Sequence, residues 1–159
     1  MSWEVRAAAK LAEPAAKRRS AVVLCPSADP SWSGSVAIGI VGGTVAEPRV
    51  GYLVEPMPVT EQLLSLTEPI EPSEVLRFAA PCAGDSCQHF DGHDCRLISK
   101  VVALLPSVVT VLPPCKIRRG CRWWLQEGRA ACMRCPQVVT DNKNPSEAMT
   151  EVSDPTYVL

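Results

Sequence analysis

Short apolar runs, cut by proline, glycine and serine, set the pattern of this 159-residue chain. Residues 21–24, 35–41 and 50–54 are rich in β-branched side chains, are bounded by turn formers, and read as strands. Gly42-Gly43 suits the turn between the second and third of them. Pro56, Pro58, Pro69, Pro72 and Pro81 then divide residues 55–81 into pieces that fit two brief helices. These are 60–66 and 73–78, with Thr60 and Ser73 in capping positions. Ahead of the strands, residues 3–11 have the spacing of a short amphipathic helix ending near Pro14, and 17–19 read as a basic linker.

In the second half, Leu97, Ile98, Val101, Val102 and Leu105 recur on one face of a helix over 95–105, with Asp94 as its cap and Pro106 as its stop. The apolar run 108–112 predicts a buried strand, after which Pro113-Pro114 presents Cys115 on a stiff loop. Residues 120–135 look helical again, with Gly128 as a break. From Val138 the chain turns polar and is expected to fray. The fold class expected is α+β: a small metal-stapled domain, with short N-terminal strands followed by a helical, cysteine-rich half. The divisions are an N-terminal helix and linker over 1–20, a small β-rich and proline-rich region over 21–80, a cysteine-rich metal-binding region over 81–136 and a flexible tail over 137–159.

Composition alters this picture in two respects. A net charge of −1 offers no global attraction to nucleic acid or to an anionic membrane. The charge is uneven, however: Lys116, Arg118, Arg119, Arg122, Arg129 and Arg134 face only Glu127 across residues 115–135. Charges or prolines interrupt every apolar run in residues 1–20, so neither a secretory leader nor a membrane span is expected and the cytoplasm is the expected compartment.

The cysteines carry the chemistry. Seven of the eight lie between Cys82 and Cys135, together with both histidines. They read Cys82-x4-Cys87-x-His89-x3-His93-x-Cys95 and then Cys115-x5-Cys121-x10-Cys132-x2-Cys135-Pro136. In a reducing compartment such crowding points to metal rather than to disulfides. Cys132 and Cys135 at i and i+3 reach one centre, and the following proline resembles, at this one corner, the Cys-Pro pair that closes bacterial ferredoxin-type runs. An unbroken helix would hold Cys121 and Cys132 roughly 16 Å apart, so Gly128 has to fold the chain back for the two to share a site. The expected cofactor site is Cys115, Cys121, Cys132 and Cys135 around an iron–sulfur cluster of the 4Fe-4S kind, with zinc as the alternative. The arginines of 118–134 would offset its negative charge, and Trp123-Trp124 would shield it.

Cys82, Cys87 and Cys95, with His89 and His93, form a second metal-ligand group that supplies another site or substitute ligands: a Cys3His zinc site, or an iron–sulfur cluster whose fourth ligand is a histidine or a distant cysteine such as Cys25. Asp85, Asp91 and Asp94 make it suited to a divalent cation. Cys25-Pro26 reads as a small buried hydrophobe, whose replacement by alanine should leave metal content unchanged. Gly39-x-x-Gly42-Gly43-Thr44 lacks the lysine and the spacing of a phosphate loop. No Ser-nucleophile motif, His-Glu-x-x-His or carboxylate pair suggests catalysis by the chain itself. The expected function is an electron-transfer or redox accessory to a partner enzyme or protein complex. A zinc-stabilised interaction module is the main rival, and a thiol-redox protein with reversible disulfides is the third class. Nucleic-acid contact through the basic and aromatic stretch 116–124 is a lesser reading.

Overall fold

The computed structural model describes residues 22–159; the helix and linker expected over 1–20 lie outside them. Strands β1 (Leu24–Cys25), β2 (Val36–Gly43), β3 (Pro48–Pro58) and β4 (Leu76–Pro81) form one antiparallel sheet in the order β1-β4-β2-β3. Short helices complete a mixed α+β fold. Gly43, at φ 77°, turns the β2–β3 hairpin where a Cβ would collide with the Glu47 carbonyl.

Two sequence expectations fail around β4. The helix expected over 73–78 shrinks to α2 (Pro72–Val75), preceded by α1 (Glu61–Ser65) and capped reciprocally by Glu71 and Glu74. Leu76 onward is instead a central strand between β1 and β2. The alternation was hidden because both faces of β4 are buried, with Arg77, Phe78, Ala79 and Ala80 all at 0% exposure. Arg77 and Ala79 face Trp123 and the segment from Cys121 to Cys135, while Phe78 and Ala80 pack in the cluster containing Leu63 of α1. The strand expected over 108–112 does not form; Val108 donates to the Met133 carbonyl, and Val111 is largely exposed.

Helix α3 (Arg96–Leu104) begins on Cys95 rather than on Asp94, because Asp91 takes the N–H groups of both His93 and Asp94. Gly128, at φ 63°, separates α4 (Arg122–Glu127) from α5 (Arg129–Cys132), which is the break the sequence required. The tail does not simply fray: α6 (Glu147–Ser153) is capped by Ser146 and buries Val152 against α3. Its C-terminal end is anchored by Lys100, itself almost fully buried, whose Nζ donates to the Asp154 carbonyl at 2.6 Å. Among the described residues no helix is long and apolar enough to cross a membrane.

Candidate metal centre

The cysteine-rich half presents two cavities, and their positions follow from strand geometry. Cys25 pairs with Ala80 and Leu24 with Pro81, while the Cys82 N–H extends the ladder to the Val23 carbonyl. Because successive strand residues alternate faces, Cys25 and Cys82 fall on one face of the β1–β4 pair and Arg77 on the other. A bridge between Leu24 and Cys121 then lays the start of α4 alongside β1.

Four chain segments meet at the first cavity. Cys115 arrives after Pro113-Pro114, Cys121 after the 3-10 turn Arg118–Gly120, Cys132 at the end of α5, and Cys135 one turn further on. Pro26, Ile38, Tyr52 and Trp123 close the walls around a void of about 20 Å³. Gly128 makes this convergence feasible by reversing the chain between Cys121 and Cys132. Burial raises the pKa of Cys121 to about 12, partly opposed by the nearby N–H groups of Trp124 and Trp123. Burial likewise raises Cys115 and Cys132, opposed at Cys132 by the Arg118 guanidinium.

The polar groups aimed at this cavity come mainly from the sheet. Tyr52 Oη donates to Cys135 Sγ at 2.9 Å. Arg77, at 0% exposure, donates from Nε to the Pro26 carbonyl, from Nη1 to the Cys135 and Val138 carbonyls, and from Nη2 to Cys135 Sγ at 3.2 Å. Its guanidinium also lies over the Trp123 ring at 5.5 Å. Burial opposes the Arg77 charge, but the negative charge available at Cys135 and Tyr52 outweighs it and raises the pKa. Burial and the neighbouring Cys135 charge both hold Tyr52 protonated.

The basic block reaches the site less than expected. Arg118 stands beside Cys132, donates to the Pro113 carbonyl and covers the Trp124 ring. Arg122 covers Phe90, Arg129 reaches the Thr110 carbonyl, and Arg134 holds the carbonyls of Leu105 and Ala130. Lys116 pairs with Glu55. These arginines mostly satisfy backbone and aromatic partners within their own half; the deepest positive charge is Arg77, which the sequence argument missed. Its signal was a lone charge inside the apolar run Leu76-Arg77-Phe78-Ala79-Ala80.

The second cavity, about 480 Å³, is lined by Cys25, Cys82, Cys87 and Cys95, with His89, Phe90, Arg122 and Trp123 among its other walls. The structure thus brings Cys82, Cys87, Cys95 and His89 together but not His93. The His93 side chain is 89% exposed and contacts Asp94. The His89 backbone N–H donates to Cys87 Sγ at 3.4 Å, and burial lowers the pKa of its imidazole, as do Lys100 and Arg96. Asp91 is committed to local backbone N–H groups, and neither it, Asp85 nor Asp94 lines the cavity.

This chain matches no family model, no curated protein and no solved structure. The arrangement of thiols is the remaining ground for a functional reading. All eight cysteines are free thiols. Among the described residues, no three Cys, His, Asp or Glu side chains converge on a single metal-ion position.

Proposed function

We propose that the protein is an iron–sulfur protein that carries electrons to, or works beside, a partner enzyme. Its four-iron cluster is held by Cys115, Cys121, Cys132 and Cys135. The observation that carries this reading is the buried contact of Arg77 with Cys135 Sγ. A guanidinium taken out of water requires a counter-charge. No carboxylate bridges Arg77 among the described residues, and the groups beside it that can become anionic are Cys135, Tyr52 and Cys121. Thiols are the most acidic of these. Four thiolates around an oxidised four-iron core carry a formal net charge near −2, for which Arg77 and Arg118 are suitable partners.

Zinc, which draws each sulfur to about 2.3 Å from one ion, is the alternative occupant of the same four thiols. The cluster supplies one-electron chemistry. This chain's residues would hold it dry and set its potential: Trp123 and Ile38 wall it from water, and Tyr52 and Arg77 direct hydrogen bonds at one ligand sulfur. The redox-accessory role rests on the absence of a catalytic constellation in the sequence, and the inward use of Arg118 and Arg122 makes stretch 116–124 a weak nucleic-acid surface.

The test is the ultraviolet–visible spectrum of anaerobically purified protein, with iron, zinc and acid-labile sulfide measured on the same sample. A brown protein that bleaches with dithionite and carries matched iron and sulfide supports the proposal. A colourless protein with stoichiometric zinc refutes it and leaves a structural interaction module.

A narrower expectation concerns Tyr52→Phe. It removes one O–H···S hydrogen bond while leaving the ring in place. Iron content should be unchanged and the reduction potential should fall by about 60 mV, the one-electron equivalent of ~1.4 kcal/mol for one lost hydrogen bond. Potentiometric titration checks it; an unshifted potential would mean that Tyr52 does not tune the centre.

A further inference from the structure

We infer that Cys25, Cys82, Cys87 and Cys95 hold a second four-iron cluster, so that the chain is a two-cluster protein with Cys25 as the ligand that completes the second site. This inference rests on the iron–sulfur reading of the first site and extends it to all eight cysteines.

Four cysteines, each at the end of a different element, line one cavity. Cys25 ends β1, Cys82 follows β4, Cys87 follows the 3-10 turn Gly84–Ser86, and Cys95 precedes α3. Cys25 and Cys82 are diagonal neighbours across the β1–β4 ladder, because Cys25 faces Ala80 and Cys82 bonds back to Val23. Diagonal Cα atoms in an antiparallel pair stand roughly 7–8 Å apart, at the limit of what a disulfide spans. The pair lies on the same face, and both are free thiols. Cys25 shares the cavity wall with the other three thiols, Cys82, Cys87 and Cys95.

Two features of the surroundings resemble the first site. Each set contains a cysteine reached through a 3-10 turn, Cys87 and Cys121, and each contains the residue immediately before a helix, Cys95 and Cys121. N–H groups surround the second set as well: His89 donates to Cys87, and those of Ile98 and Leu97 lie near Cys95. Gln126 fixes Cys95 from both sides, its Oε1 accepting from the Cys95 N–H at 2.8 Å and its Nε2 donating to the Cys95 carbonyl at 2.9 Å. Arg122 is the cation on the cavity wall. With four thiols present, neither histidine is needed as a ligand. His93 points outward, and His89 contributes its backbone N–H to the site. Trp123 belongs to the walls of both cavities, so one indole separates the two centres.

Iron and acid-labile sulfide per chain decide the matter, measured on anaerobically reconstituted wild type, Cys25→Ala, Cys87→Ser and His89→Ala. The expected result is about eight irons and eight sulfides in the wild type, with each cysteine variant falling to about half and His89→Ala staying near the wild-type value. Cys87 lies on a loop, so its variant keeps the test decisive if the strand residue Cys25 proves necessary for folding, which circular dichroism reports. A wild type with about four irons, whose content Cys25→Ala and Cys87→Ser leave unchanged, overturns the second site and leaves the first intact. Halving by His89→Ala but not by Cys25→Ala overturns the assignment of Cys25, as does stoichiometric zinc retained beside four irons. A wild type with no iron at all fails the iron–sulfur reading itself, and this inference with it.

Discussion

Cys135→Ala should lose the metal of the first centre and most of its solubility. The variant removes a proposed ligand and also, among the described residues, the only side-chain anion-former that Arg77 touches through a direct hydrogen bond. Arg77 is completely buried, and deleting one partner of a buried charge contact costs about 3–5 kcal/mol because the other charge is left uncompensated. The Tyr52 hydroxyl loses its acceptor in the same step. Iron and sulfide content test the ligand role. Urea midpoints of metal-free variant and metal-free wild type isolate the stranded guanidinium, since neither sample then carries a cluster. Full metal content in Cys135→Ala would make the four-cysteine assignment wrong.

Trp123→Ala should be the most damaging single change outside the ligands. Trp123 is 1% exposed, forms a wall of both cavities, and provides the ring over which Arg77 lies. Truncating a buried aromatic of this size costs about 3–5 kcal/mol, which for a domain of this length lowers the melting temperature by roughly 10 °C. Iron should fall in both centres together, in contrast to Cys25→Ala, which should empty one. Trp123→Phe keeps most of the volume and should retain most of the iron. Calorimetry with parallel iron assays checks both variants; a Trp123→Ala protein that melts like wild type would show that the indole does not support the partition.

Local features were legible in the sequence where a residue's own chemistry decides the backbone. Thr60 caps α1 because its hydroxyl can take the Leu63 N–H, and Gly128 breaks the helix because glycine adopts positive φ without strain. The hairpin at Gly42-Gly43 follows from the same freedom. β4 and α6 were misread for the opposite reason. β4 is a central strand buried on both faces and shows no alternation to count, while α6 is a mostly polar segment that docks through Val152 and Lys100.

The sequence by itself determined that the chain is α+β, that seven of its eight cysteines crowd into residues 82–135, and that a chain reversal at Gly128 could bring Cys121 back to Cys132 and Cys135. Those conclusions rest on residue type and near-neighbour spacing, which linear order preserves. Only the tertiary structure decided that Cys25 joins Cys82, Cys87 and Cys95, that His93 stands apart, and that Arg77 and Tyr52 attend Cys135. Cys25 and Cys82 are 57 residues apart in the chain and neighbours only because β1 pairs with β4. Which face each residue takes is then a matter of strand register, where a shift of one residue would send Cys25 to the opposite side.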